Sequence, residues 1–217
     1  MDRELSERNK RMQSLLKKAT FGEAINELIS LREALMNEML SWREILTNED
    51  YCAIPFINAD GYHSKTIAYS IWHIIRIEDI TVNTLIRERE EVLFAGGYDR
   101  ATRSPIITTG NELVKNDIAL FSKELSIEAL YDYARAVFDE TNEWLRSIGY
   151  EELKRGFTDA DKERIKQLRV VSEDEKAAWL IDYWCGKDVA GLIRMPLSRH
   201  WIMHIEAADR IRAKIVK

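Results

Sequence analysis

Residues 64–89 read SKTIAYSIWHIIRIEDITVNTLIRER, a stretch that contains neither proline nor glycine. Its apolar side chains, among them Ile67, Trp72, Ile74 and Ile80, are spread around a helix instead of following one narrow stripe. Such a distribution is typical of a helix that is buried on several sides. The stretch therefore predicts a long interior helix in an all-α fold.

Three other segments, residues 20–47, 126–148 and 196–216, also have helical periodicity. In the first of them, apolar residues recur at spacings of three and four from Leu28 to Leu46. With residues 64–89 they make four long amphipathic helices separated by connections of ~15–20 residues, which predicts a four-helix bundle with crossover segments and additional short helices. We expect one domain over residues 1–217, with residues 1–19 as an N-terminal helical extension.

Capping signals and chain breaks predict where the elements begin and end. Three capping boxes are predicted, namely Thr20 with Glu23, Thr109 with Glu112, and Ser172 with Glu175, the last two opening short helices over 109–123 and 172–184. Pro196 suits the first turn of the last helix. The segments 48–63, 90–108 and 149–157 are predicted to be loops.

Composition and charge exclude several classes of function. The 217 residues carry a formal net charge of -5 without a basic block, which argues against nucleic-acid binding. No apolar run approaches the ~20 residues that cross a bilayer, and the charged N-terminus lacks the apolar core of a signal peptide. Two cysteines, Cys52 and Cys185, make no disulfide framework. We therefore expect a cytoplasmic protein with reduced thiols and with neither a membrane nor a nucleic-acid partner.

Three of the four histidines lie in the long helical segments. His200 and His204 are four residues apart, which places both rings on one helix face, as when one helix supplies two ligands to a metal. His73 lies on a buried face of the 64–89 helix. Taken singly, each could be a core imidazole bonded to a neighbour. Taken together, three interior imidazoles need partners, and a shared divalent cation would supply them.

A three-histidine set would leave coordination positions open for water or substrate, as in a reactive site. Imidazole suits Zn, Ni, Cu and Fe alike, so the ligand set does not choose the metal. A ferritin-like di-iron site is excluded because the sequence contains no Glu-x-x-His motif. The fourth histidine, His63, is predicted to lie at the surface or at a helix cap.

The histidine motifs resemble those of the DinB-like superfamily, which includes the YfiT-type metal-binding proteins. SIWH at 70–73 is similar to the second-helix motif of that family, and PLSRH at 196–200 with HIEA at 204–207 is similar to its last-helix motif. TTGNE at 108–112 resembles the start of a middle helix in a subset of members. The resemblance covers most of residues 20–216, and its specific part is the histidine motifs.

The resemblance implies a four-helix bundle in down-up-up-down order with His73, His200 and His204 as metal ligands. It also implies Zn²⁺ or Ni²⁺ as the expected metal and a homodimer as the expected assembly. Some members of the family are thiol S-transferases that use bacillithiol, mycothiol or glutathione. The long insertions around 90–108 and 149–172 depart from short members and are expected to shape the mouth of the pocket.

Three functions follow as hypotheses. In the first, a metal-dependent transferase holds a low-molecular-weight thiol as its thiolate and joins it to a small-molecule substrate. Its pocket residues are predicted to be Trp72, Tyr69, Arg199, Trp201 and Trp184. In the second, a hydrolase uses metal-bound hydroxide and needs a carboxylate base, which the sequence does not identify; Glu206 and Cys185 receive no catalytic role. In the third, a non-catalytic metal-containing module binds a small molecule or a partner helix in a stress response.

Overall fold

The computed structural model of the protein describes residue 7 and residues 17–216. The predicted N-terminal helical extension, residues 1–19, lies almost entirely outside the described residues. The predicted all-α class is confirmed, since residues 17–216 form helices and turns without a β-strand and with one isolated bridge between Gly156 and Asp188. The α-helices in chain order are α1 (Phe21–Ser41), α2 (Asn48–Cys52), α3 (Ile67–Asp79), α4 (Val92–Ala95), α5 (Tyr98–Ala101), α6 (Asn116–Glu124), α7 (Ile127–Ser147), α8 (Asp159–Leu168), α9 (Glu175–Cys185), α10 (Val189–Arg194) and α11 (His200–Ile215).

Non-α segments join or extend these helices. The 3₁₀ turns are Lys18–Thr20, Trp42–Glu44, Gly61–His63 and Tyr150–Lys154, and the π-helical segments are Ile80–Ile86 and Met195–Arg199. The first π segment continues α3 and the second leads into α11, so the helix predicted from residue 196 has its first turn in π form. The predicted loops 48–63, 90–108 and 149–157 contain α2, α4, α5 and two of the 3₁₀ turns.

The four long helices pack side by side around the core. α1 contacts α7 and α11, and α3 contacts the same two helices. Every residue of α3 is buried, as the apolar spread of its sequence predicts. Its N-terminus is fixed by the Thr66 side chain, which accepts a hydrogen bond from the Tyr69 N–H and satisfies one of the free donors of the first turn.

The three predicted capping boxes are wrong. Thr20 is the residue before α1, but its hydroxyl donates to the Lys17 carbonyl. The helix predicted at 109–123 begins only at Asn116, because residues 107–110 are held in an irregular conformation against α3. The helix predicted at 172–184 begins at Glu175, where Asp174, next to the first turn, accepts from the Lys176 N–H.

A buried ion pair joins the long helices at the centre of the fold. Arg32 on α1 donates to both carboxylate oxygens of Glu78 on α3, at 2.6 and 2.7 Å, and neither side chain is exposed. Arg32 also donates to Asn142 on α7, and Trp201 on α11 donates to Glu78 at 2.7 Å. Each charged atom is therefore paired, as a buried charge requires.

A second buried network attaches the 90–108 segment to α3. Asp79 accepts hydrogen bonds from the first two N–H groups of α4, at Val92 and Leu93. Arg76 donates to Glu91 at 2.8 Å, just before the same helix. The segment is therefore anchored to the helix that carries His73. None of the helices that the structure describes has the length and apolar character needed to cross a membrane.

Candidate metal centre

The three histidines of the two sequence motifs meet between α3 and α11. His73, His200 and His204 are all buried, and one ring nitrogen of each lies within 4.8 Å of one ring nitrogen of the other two. The ring centroids are 5.0 Å apart for His73 and His200, 4.8 Å for His73 and His204, and 4.6 Å for His200 and His204. Three nitrogens this close together could hold one metal ion.

The hydrogen bond of His73 fixes which nitrogen can bind a cation. His73 Nδ1 lies 2.8 Å from the Thr109 carbonyl oxygen, and because a carbonyl only accepts, Nδ1 carries the proton and donates. The lone pair is then on Nε2. A backbone carbonyl behind the imidazole is the usual outer-shell partner of a metal-binding histidine, and it sets both tautomer and ring orientation.

This bond belongs to a row of four consecutive carbonyls, which we call the carbonyl row and define as the oxygens of residues 107–110. Side chains at i, i+3, i+4 and i+7 on one face of α3 donate to the row at 2.7 to 3.0 Å: Tyr69 to Gly110, Trp72 to Thr108, His73 to Thr109 and Arg76 to Ile107. Gly110 has φ +79°, and a Cβ there would lie 3.0 Å from the Tyr69 ring, so glycine is required. The row holds the segment flat against the histidine face.

Other ring nitrogens of the cluster lack hydrogen bonds. Within the described residues, His200 Nδ1 and both ring nitrogens of His204 are buried without a hydrogen-bond partner. Leaving such a group unsatisfied costs about 1–3 kcal/mol. A cation shared with His73 would give one nitrogen of His200 and one of His204 a partner, so the residues fit a divalent metal.

Electrostatics keep the three rings neutral. Burial lowers the pKa of His73 to about 4, with the Thr109 carbonyl opposing the shift and the Lys65 ammonium adding to it. Burial, together with the neighbouring imidazoles, lowers the pKa of His200 and His204 well below the usual value. Neutral imidazole is the form that binds metals, so the site needs no deprotonation to accept an ion.

The lowered pKa values predict that the metal-free protein loses stability as pH falls. In the unfolded chain each histidine takes up a proton near pH ~6.5, whereas folded His73 does so only at about 4. Between these values the unfolded state binds more protons, so the free energy of unfolding falls with pH by about 1.4 kcal/mol per unit for each such histidine. Urea unfolding in the presence of a chelator, from neutral pH down to about 4, measures this slope.

The matched comparison is His200→Leu against Leu120→Ala. We expect His200→Leu to reduce the slope by one proton, and Leu120→Ala, which removes a 60% exposed side chain without a titratable group, to leave it unchanged. Equal slopes for the wild type and His200→Leu would contradict the interpretation.

A cavity of about 270 Å³ opens beside the cluster. His73 and His200 form its inner end, Trp184 and Asn111 line it, and Trp179 and Tyr183 are partly exposed along it. Tyr62 lines it as well, and its ring meets His204 edge-on with centroids 4.7 Å apart. The arrangement gives a small molecule access to two of the three histidines.

Of the five residues predicted to line the pocket, one lines the cavity and the other four lie elsewhere. Trp184 lines the cavity. Trp72, Tyr69 and Trp201 are fully buried, the first two bonded to the carbonyl row and the third to Glu78, while the Tyr69 ring stacks on His73 at 5.4 Å. Arg199 is exposed, and its charge opposes the raised pKa of Tyr62.

The other residues considered in the sequence analysis, His63, Glu206 and Cys185, lie outside this cavity. His63 accepts from Arg210 at 2.9 Å and, with Glu206, lines a separate shallow pocket of about 200 Å³. Cys185 is buried at the end of α9, and burial raises its pKa to about 11, so its thiol is a poor nucleophile.

Eight of the described residues that line the cavity were not predicted from the sequence: Tyr62, Ile77, Asn111, Trp179, Leu180, Tyr183, Met195 and Pro196. Trp179 and Tyr183 are four residues apart on a predicted amphipathic helix that also carries Trp184, and this aromatic cluster was the available signal. Tyr62 lies in the 3₁₀ turn Gly61–His63 and Asn111 in a turn, where the periodicity of long helices gives no information.

Comparisons of the sequence with models of known protein families and with curated proteins find no match.

Proposed function

We propose that this protein is a metal-dependent enzyme of the DinB-like superfamily that transfers a low-molecular-weight thiol to a small electrophile, with His73, His200 and His204 holding Zn²⁺ or Ni²⁺. The observation that carries the proposal is the meeting of three buried, neutral imidazoles, with His204 lacking a hydrogen-bond partner in the described chain. A reachable cavity at the same point favours a reactive site over a closed structural one.

The chain's own residues would orient and shield the reacting groups. A bound divalent ion would supply stabilisation of a thiolate, the nucleophilic form of a thiol. His73 is held in one orientation by its hydrogen bond to the Thr109 carbonyl, which leaves its Nε2 lone pair free for a metal. Tyr62 covers His204, and the aromatic walls of the cavity exclude water from the nucleophile.

A metal-dependent hydrolase uses metal-bound hydroxide and usually has a carboxylate base nearby. Among the described residues, the three-nitrogen cluster contains no carboxylate, and the side chains that line the cavity include none either. Asn111, a polar residue of the cavity wall, carries an amide that neither accepts nor gives up a proton at neutral pH. This observation favours the transferase over the hydrolase.

We also propose a fold arrangement and an assembly. The contacts of α1 and α3 with both α7 and α11 support a four-helix bundle, and we propose down-up-up-down order from the family resemblance. We propose a homodimer in the cytoplasm, for which light scattering of the purified protein is the test of assembly.

The experiment for the proposed activity uses untagged protein loaded separately with Zn²⁺ and Ni²⁺, with metal content from elemental analysis. We expect about one equivalent of metal and thiol-dependent consumption of an alkylating electrophile such as monobromobimane. We expect His200→Ala to lose both while circular dichroism shows a folded protein, and His63→Ala to keep both. Full metal loading without thiol-dependent turnover, across glutathione, bacillithiol and simple thiols, would refute the transferase and leave a binding module.

A further inference from the structure

The walls of the 270 Å³ cavity are uncharged. The described side chains that line it are aromatic, aliphatic or neutral polar, with Tyr62, Trp179, Tyr183 and Trp184 forming the aromatic part. Asn111 is the only amide among them. A carboxylate or ammonium on the body of a ligand would therefore lose its hydration without a paired group in return.

The size of the cavity limits the ligand to a small body. Cavities that hold drug-sized molecules span about 300–1,000 Å³, and this one is about 270 Å³. One ring or a short branched chain would fill it. A tripeptide thiol would have to leave most of its atoms outside.

Two aromatic side chains at the cavity are exposed beyond what the fold needs. Trp179 is 50% exposed and Tyr183 36%, and their rings meet edge-to-face at 5.6 Å, whereas Trp184 behind them is 1% exposed. Together they form a continuous aromatic surface that leads from solvent to the histidine cluster. An apolar ligand body would remove this surface from water.

Three cations lie near the cavity against one carboxylate, that of Glu112, which acts on Tyr69, and this excess of positive charge decides the sign of the ligand's head group. The Lys65 ammonium lies 5.0 Å from the Tyr69 ring centroid and lowers the pKa of both His73 and His204. Arg199 acts on Tyr62, and the Lys187 ammonium lies 4.1 Å from the Tyr183 ring centroid. An aromatic wall could otherwise attract a cation, but these three cations and a bound metal oppose one.

We infer that the cavity selects a small ligand with one anionic donor, a thiolate above all, on a compact uncharged aromatic or branched aliphatic body. The preference for an anionic donor rests on the proposed function, because the donor binds the metal. The selection by the body rests on the cavity walls alone. The thiol of the proposed reaction is accordingly an apolar one, such as an arylmethyl thiol, and not a peptide carrying several charges.

The test uses the full-length protein loaded with Co²⁺ and three thiols: phenylmethanethiol, ethanethiol and mercaptosuccinate. The thiolate-to-cobalt absorption reports the donor end, and the indole N–H NMR signal of Trp179, assigned with Trp179→Phe, reports the cavity. We expect phenylmethanethiol to bind roughly 10–100-fold more tightly than ethanethiol, from burial of its ring. We expect mercaptosuccinate to bind no better than ethanethiol.

Rim variants separate the cavity from the metal. Tyr183→Ala is expected to weaken phenylmethanethiol about fivefold or more while leaving ethanethiol and cobalt uptake unchanged. Leu120→Ala removes a side chain that is 60% exposed on α6, away from the cavity, and is expected to change none of these.

Each result decides the inference. Mercaptosuccinate binding as tightly as phenylmethanethiol, with the cobalt band present, overturns the inference and leaves the metal site standing. If the protein takes up no cobalt, the proposed function fails. The Trp179 signal then tests by itself whether the cavity walls select the body of the ligand. A shift with phenylmethanethiol but not with mercaptosuccinate then supports selection by the body, and no shift overturns it.

Discussion

Replacing His204 with leucine is expected to abolish tight metal binding and, at the same time, to stabilise the metal-free protein. Structural zinc sites with four ligands yield ~10–16 kcal/mol, so one ligand is worth roughly 3 kcal/mol, or a loss of more than about a hundredfold in affinity. In the metal-free protein His204 keeps two buried nitrogens without hydrogen bonds. An apolar residue of similar volume relieves that cost, and the free energy of unfolding should rise by about 1–3 kcal/mol.

The opposite signs make this prediction specific to a metal site. A core histidine that is bonded to a neighbour would lose a partner on substitution, and the metal-free variant would become less stable. Urea unfolding with a chelator gives the stability of the metal-free protein. The same measurement with saturating Zn²⁺ gives the stabilisation that the metal adds. His63→Leu is the matched control, because that ring bonds to Arg210 outside the cluster. A His204→Leu variant that is less stable without metal and equally stabilised by zinc would contradict the assignment.

Replacing Glu78 with glutamine is expected to lower the free energy of unfolding by about 3–5 kcal/mol. The amide has almost the same shape, but it leaves the Arg32 guanidinium as an uncompensated charge with no exposure to solvent. The amide nitrogen would also face a guanidinium or indole N–H where the carboxylate oxygens now accept from Arg32 and Trp201. A loss of this size is a large part of the stability of a typical domain.

Two comparisons show whether the lost stability comes from the buried charge. Glu151→Gln breaks an ion pair with Lys18 whose side chains are both 75% exposed, and we expect a change of about 1 kcal/mol or less. The double variant Arg32→Met with Glu78→Leu removes both charges and should be more stable than Glu78→Gln. Equal losses in the single and double variants would show that side-chain shape, and not charge, holds the helices together here.

The sequence predicted the helical elements best where the signal is local. Ser126 and Thr66 cap their helices as side chains next to a first turn, and α7 matches the predicted segment 126–148 within one residue at each end. Apolar residues that recur at spacings of three and four along α7, from Leu130 to Leu145, are buried, as helical periodicity predicts. Periodicity also placed His73, His200 and His204 on interior faces, which the structure confirms as buried positions.

The sequence failed where a distant residue decides the local structure. Thr109 and Glu112 have the pattern of a capping box, but the carbonyl row is bonded to α3 some 30 to 40 residues earlier, which prevents a helix from starting there. Arg32 and Glu78 stand on apolar faces as apparent exceptions, and only the packing of α1 on its neighbours shows that they pair. Asn111 and Tyr62 reach the site by the same kind of long-range placement.

The carbonyl row limits the routes by which a ligand can enter and leave the cavity. Opening the site on that side would break five hydrogen bonds together, two of them from Arg76, at about 0.5–1.5 kcal/mol each, and would expose the buried Trp72. The segment at 107–110 is therefore a fixed wall and cannot serve as a lid. Passage must occur along α9, where Trp179 and Tyr183 can change rotamer without breaking the core. The rate at which a ligand enters or leaves would then depend on the motion of two aromatic side chains, on the nanosecond scale of exposed rotamers and not on the slower scale of loop opening.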